Sequence, residues 1–160
     1  MGRKLIVMLG LAAGLRAAGD TAIDRATLRG IAAVNVVVDP IDPDVEKAGV
    51  TRDDLRARLE DRLRAADVVV DKSRQEFVAI RLTPVRATRG PFAVAVSIAV
   101  YQPVVLARDP KMRTATDTWE VETVLLADPK VLYRACQDSI DDLAARFVAA
   151  YRAVNPAPGR

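Results

Sequence analysis

An α+β domain is the fold class this sequence predicts. It has an antiparallel-rich sheet of about four or five strands and two helices on one face, in the order strand, helix, strands, helix. Three observations predict it. From Phe92 to Val100, bulky Phe92, Val94, Val96, Ile98 and Val100 alternate with Ala93, Ala95, Ser97 and Ala99, the period-two pattern of a strand. Leu55, Leu59 and Leu63 recur at helical spacing in a charged stretch, and a longer stripe runs from Leu132 to Val154. A hairpin from Phe92 to Leu126 cannot stand alone in water, and the two helices supply its cover.

Residues 1–18, MGRKLIVMLGLAAGLRAA, have basic Arg3 and Lys4, an apolar run from Leu5 to Leu15 and small Ala17 and Ala18 at the end. That is the pattern of a secretory signal peptide, too short for a spanning helix. The chain carries 24 basic and 21 acidic residues; losing Arg3, Lys4 and Arg16 leaves 21 of each. The basic balance therefore belongs to the leader, and with it goes the case for phosphate binding. Residues 19–27 read as a flexible lead-in, 28–156 as a single domain and 157–160 as a tail. The lone Cys136 permits no intrachain disulfide and lies too far from the leader to carry a lipid.

Within the domain, Val34, Val36 and Val38 predict a first strand over residues 31–38, ended by Asp39-Pro40 and Asp42-Pro43. An acidic loop with room for one helical turn follows. Thr51 opens a helix: its hydroxyl can cap the first turn, where Asp53 and Asp54 suit the helix dipole. Val68 to Val70 is a short strand or strand start, and Phe77 to Leu82 another strand. Thr83 to Pro91, with two prolines and a glycine, reads as a connecting loop. The long hairpin turns at Asp109-Pro110. Pro103 inside its outgoing run marks a bulge, a sheet edge or a break. Asp128-Pro129 starts the last helix, with proline in its first turn. Leu132, Cys136, Ile140, Leu143, Phe147, Tyr151 and Val154 form its apolar stripe, and Asn155-Pro156 ends it.

The chain contains no histidine, which excludes Ser-His-Asp and Cys-His catalysis and imidazole-ligated zinc. Cys136 falls on the apolar stripe, where packing is the simpler role. Asp42-x-Asp44-x-Glu46 has the alternation of a calcium loop, but Pro43 and the missing glycine argue for a solvated acidic loop. Asp138, Asp141 and Asp142 read as ordinary outer-face charges. There is no GxGxxG and no Walker loop. Arg81, Arg86 and Arg89 could form an anion patch, without the aromatics that base stacking needs. Tyr101 and Trp119, on strands that can pair, are candidates for an apolar recognition patch, and core or edge packing is the simpler reading of Trp119.

The run AGVTRDDLRARLEDRLRAADVVV, the segment QPVVLARDP, the segment TATDTW and the ending RFVAAYRAVNP resemble a family of secreted bacterial proteins of unknown function. That resemblance brings no activity. The element order is also loosely similar to small periplasmic assembly lipoproteins of the lipopolysaccharide-assembly type, whose lipidated cysteine this chain lacks.

The expectation is an exported protein, periplasmic or secreted after signal cleavage, and a non-catalytic envelope-assembly or protein-binding module. No cofactor and no metal are expected. The expected partner is an envelope protein, with no nucleic acid and membrane contact only through the leader. Tyr101, Pro103 and Trp119 are the candidate partner-binding residues. The alternative is a carrier of a small apolar ligand or lipid, held under the helices in space left by Ala93, Ala95, Ser97 and Ala99.

Overall fold

The computed structural model describes residues 19–86 and 91–156. The leader, residues 87–90 and the tail from 157 lie outside the described residues. The sheet has four strands in the order β1 (Asn35–Val38), β2 (Phe77–Arg86), β3 (Phe92–Leu106) and β4 (Asp109–Ala127). The helices are α1 (Ala22–Ala26), α2 (Pro43–Lys47), α3 (Arg52–Ala65) and α4 (Pro129–Val154).

The fold class agrees with expectation at the level of α+β, and the sheet is mixed. β2, β3 and β4 pair antiparallel, whereas β1 pairs parallel to β2 from Asn35↔Phe77 to Val38↔Ile80. A parallel neighbour needs a long crossover, and the stretch holding α2 and α3 provides it. β1 is shorter than the eight residues expected. Val34 makes only an isolated bridge to Val70, so Val68 to Val70 adds no strand to the sheet.

Two further boundaries differ from the sequence reading. β2 continues through Pro84 to Arg86 where a loop was expected, pairing Pro84 with Val94. β1 ends opposite Ile80, so from Arg81 onward one side of β2 is a sheet edge and Pro84 costs the ladder no donor. The hairpin turns at Ala107 and Arg108, not at Asp109-Pro110, and Asp109 already pairs with Leu106. Pro103, opposite Ala115, lies beyond the last β2–β3 pair, so it too occupies an edge.

The bulky face of β3 is the core face: Val94, Val96, Ile98 and Val100 are fully buried and Phe92 nearly so. α4 lies over β3 and β4 and α3 over β1 beside it, and their Leu55, Leu59, Leu63, Leu132, Cys136, Ile140, Leu143 and Phe147 are all fully buried in the same core. Burying such side chains contributes about 1.5–3 kcal/mol each. The small-residue face therefore points away from the helices. The space expected beneath them for a ligand is filled by the bulky face, which corrects the carrier geometry.

Thr51 caps α3 as expected, its hydroxyl accepting from the Asp54 N–H at 3.1 Å. At the other end Val68 N–H reaches the Leu63 carbonyl and Asp67 N–H the Arg64 carbonyl, each at 3.0 Å. That is a Schellman closure, with Asp67 in the left-handed region at φ 60°.

The lead-in is docked, not loose. Thr21 and Asp24 form a capping box for α1. Asn155 donates to the Leu28 carbonyl at 2.9 Å and accepts from Gly30 N–H at 2.7 Å. The Tyr151 hydroxyl donates to the Ile31 carbonyl at 2.7 Å. The start of the domain is thus fastened to the end of α4.

Candidate functional site

Three neighbouring strands present their outward residues in rows across the sheet. Val85, Ala93 and Leu126 form one row, Thr83, Ala95 and Val124 the next, and Arg81, Ser97 and Glu122 a third. Strands lie about 4.8 Å apart. The small residues of β3 therefore floor a trough between taller walls from β2 and β4. Its apolar end is open: Val85 and Val124 are each 68% exposed and Leu126 is 73% exposed. Exposed valines and leucines gathered on adjacent strands differ from the scattered singles normal on a protein surface.

Further along the same face the trough closes. Phe77 and Tyr101 stack with ring centroids 5.0 Å apart. Arg81 donates from Nε to Asp39 at 2.9 Å and from Nη2 to the Tyr101 hydroxyl at 3.2 Å. Asp39 first, and Tyr101 second, raise the Arg81 pKa further above its ordinary value. Arg81 is thus tied to partners within the sheet face and is not an open anion site.

Tyr101 and Trp119, candidates for one apolar patch on paired strands, lie on opposite faces. Val100 pairs with Trp119 and Tyr101 with Asp117, so Thr118 is an extra residue and β4 bulges there. Trp119 is only 1% exposed and meets Phe147 edge-on at a centroid distance of 5.4 Å. Its indole N–H donates to Asp20 Oδ1 at 2.8 Å, which satisfies the one polar group it buries. Trp119 is a core residue and no part of an exposed patch. Tyr101 and Pro103 do share the outward face.

Asp20 is the hub of this corner. Arg25 grips it through Nε and Nη2, both at 2.7 Å, and this pairing chiefly lowers the Asp20 pKa, with Trp119 adding to it against the opposing effect of burial. Next to it, Gly19 accepts from the Glu120 N–H at 3.2 Å on the outer edge of β4. A Cβ on Gly19 would lie 2.8 Å from the Glu120 carbonyl oxygen, and φ is +98°. Only glycine fits there without a shift.

The remaining candidates are absorbed by structure. Asp42 caps α2, Asp44 pairs with Lys47 and Asp39 with Arg81. Among the described residues no group of three or more His, Cys, Asp or Glu is placed to hold a metal. Cys136 is fully buried, and burial pushes its thiol up to about 11, far from a nucleophile's range. Asp141 was missed as a structural residue. Arg62 and Arg58 of α3 both chelate it, Arg58 at 2.7 and 2.5 Å, and Arg62 first, then Arg58, hold its carboxyl down at about 2 against the opposing effect of burial. The i, i+4 spacing of the two arginines was its only signal. Beside that clamp an Ala-floored groove of about 320 Å³ runs between α3 and α4. Among the described residues no helix is long and apolar enough to cross a membrane.

No known protein family matches the chain, and no curated protein does. Among the solved structures that match is a minor lipoprotein from Acinetobacter baumannii, 11% identical, aligned over 76% of this chain and 94% of that one. The TM-score is 0.33, and a likeness so distant carries no argument about function.

Proposed function

We propose that this protein is a non-catalytic binding module of the cell envelope, exported by its leader, and that a partner protein docks on the uncovered sheet face. One observation carries the reading: Val85, Val124 and Leu126 stand exposed around the Ala93 and Ala95 floor on the side away from both helices. A flat apolar face of this kind gains by burial against another protein. The chemistry points the same way: Cys136 is buried with its thiol pushed up, Asp42 caps α2, Asp39 and Asp44 sit in ion pairs, and the sequence has no histidine to act as a base.

The test is cross-linking of the protein from a photoreactive residue at Ala95 in envelope preparations, with Leu126→Asp as the contrast. Retained Tm with loss of a discrete adduct in the variant is the expected result. An adduct that persists in Leu126→Asp, or none at all from the wild-type chain, would sink the reading.

A further inference from the structure

Past Tyr101 and Asp117 the β3–β4 hairpin leaves the rest of the sheet and continues as a two-stranded ribbon. Its strands run on for roughly 15–20 Å, at about 3.3 Å per residue. Every residue from Ala107 to Asp117 is exposed. The tip is widened: Val105 pairs with Arg113 and Leu106 with Asp109, so Pro110, Lys111 and Met112 bulge from β4. Arg108, Lys111 and Arg113 all sit here against the single acid Asp109, whose carboxylate accepts from the Lys111 backbone N–H at 3.1 Å.

These three cations differ from many in the body. Arg25, Arg58, Arg62, Arg64 and Arg81 each face a carboxylate, whereas no ion pair among the described residues involves Arg108, Lys111 or Arg113. Among them stand two exposed apolar side chains, Val105 at 55% and Met112 at 50%. Once the leader's three basic residues are set aside the chain is formally neutral, so this tip is a local positive end and not a reflection of overall charge.

We propose that the ribbon tip binds the anionic surface of a phospholipid bilayer, Arg108, Lys111 and Arg113 on headgroup phosphates and Met112 and Val105 in the acyl boundary. Charge complementarity selects the surface, since unpaired cations at a convex tip seek a dense anionic plane. The apolar pair selects lipid over other polyanions. Nucleic acid would call for aromatic stacking groups, which the tip lacks. A solvated acidic protein surface would satisfy the cations and leave Met112 and Val105 in water. A bilayer takes both, as it does from interfacial segments that join basic and apolar residues. The sheet face proposed above is a separate surface, and this inference does not rest on it.

The core spans Leu28 to Ala150, so a chain beginning at Gly19 holds the whole folding unit and removes the apolar leader from the assay. That chain is sedimented with vesicles of phosphatidylcholine alone and with vesicles containing phosphatidylglycerol. Binding is expected only to the anionic vesicles and falls steeply with salt. Neutralising any one tip cation weakens it about fivefold, the effect of about 1 kcal/mol per basic residue near an anionic surface. Met112→Ser weakens it with no change in charge. The triple reversal Arg108→Glu, Lys111→Glu, Arg113→Glu abolishes it with Tm unchanged. The equal reversal Arg29→Glu, Lys72→Glu, Arg74→Glu leaves most of it, and Leu126→Asp has no effect. Equal binding to both vesicle types overturns the proposal. So does equal loss from the two triple reversals, or capture of an acidic protein by the tip while vesicles are ignored.

Discussion

The two halves of the β3–β4 hairpin share one backbone ladder and have opposite fates. Between Phe92 and Val100 β3 lies under α4, and its inward side chains are 0–2% exposed. Between Tyr101 and Asp117 the same strands project past the helices, and most of their residues are exposed or half-exposed. Hydrogen bonding is common to both halves, so it does not distinguish them. What differs is the layer on top. Pairing extends a strand as far as its register allows, whereas burial needs a second element, and that is where stability concentrates.

The sharpest test of this contrast is a matched pair of truncations. Phe147→Ala, over the buried half, is expected to cost about 3–5 kcal/mol by removing a fully buried ring that meets Trp119. Met112→Ala on the ribbon is expected to stay within about 0.5 kcal/mol. Urea midpoints decide it, and similar losses would break the comparison. Next comes Gly19→Ala, where the added Cβ meets the Glu120 carbonyl at a positive φ. It should cost about 1–2 kcal/mol and speed amide exchange over residues 20–31, locating the N-terminal segment with the body.

A smaller effect is expected from Asp141→Asn, which should lower Tm by a few degrees at neutral pH. Because the folded carboxyl titrates at about 2, its contribution is complete above the unfolded carboxylate pKa and fades as pH falls toward 2. The Tm gap to wild type should therefore close between about pH 4 and pH 2; a gap constant across that window would refute the clamp. The smallest change is a gain. Asp67→Gly relieves a left-handed Asp at the end of α3 and should add about 0.5–1 kcal/mol, measured by thermal melts.

Periodicity made the packed half legible and said little about the rest. The alternation of β3 and the four-residue stripes of α3 and α4 are repeated signals, and the bulky positions they marked are buried, save Tyr151 and Val154 at the end of α4, which are partly buried. β1 is four residues whose parallel pairing depends on where the α3 crossover returns the chain, which no local pattern records. Pro84 looked like a loop residue because only the early end of β1 makes its position an edge. Core packing, the simpler reading of Trp119, is what the structure shows, and the one-residue bulge at Thr118, which sets Trp119 on the face opposite Tyr101, leaves no local trace in the sequence. The outward trough was visible as a row of alanines. Its being uncovered depended on which face the helices chose, and bulk decided that.

Asn155 binds Leu28 and Gly30, and Tyr151 binds Ile31, so the segment just after α1 is tied to the last turn of α4 across more than a hundred residues. Closing a loop of that length is slow compared with local hairpin formation. β3–β4, whose contacts are local, can pair early and offer residues 19 and 20 a place on β4, whereas Leu28, Gly30 and Ile31 meet their α4 partners only when that helix is complete. A chain emerging N-terminus first leaves these bonds unmade until the end of α4 arrives. Final closure of the domain therefore waits for the end of α4.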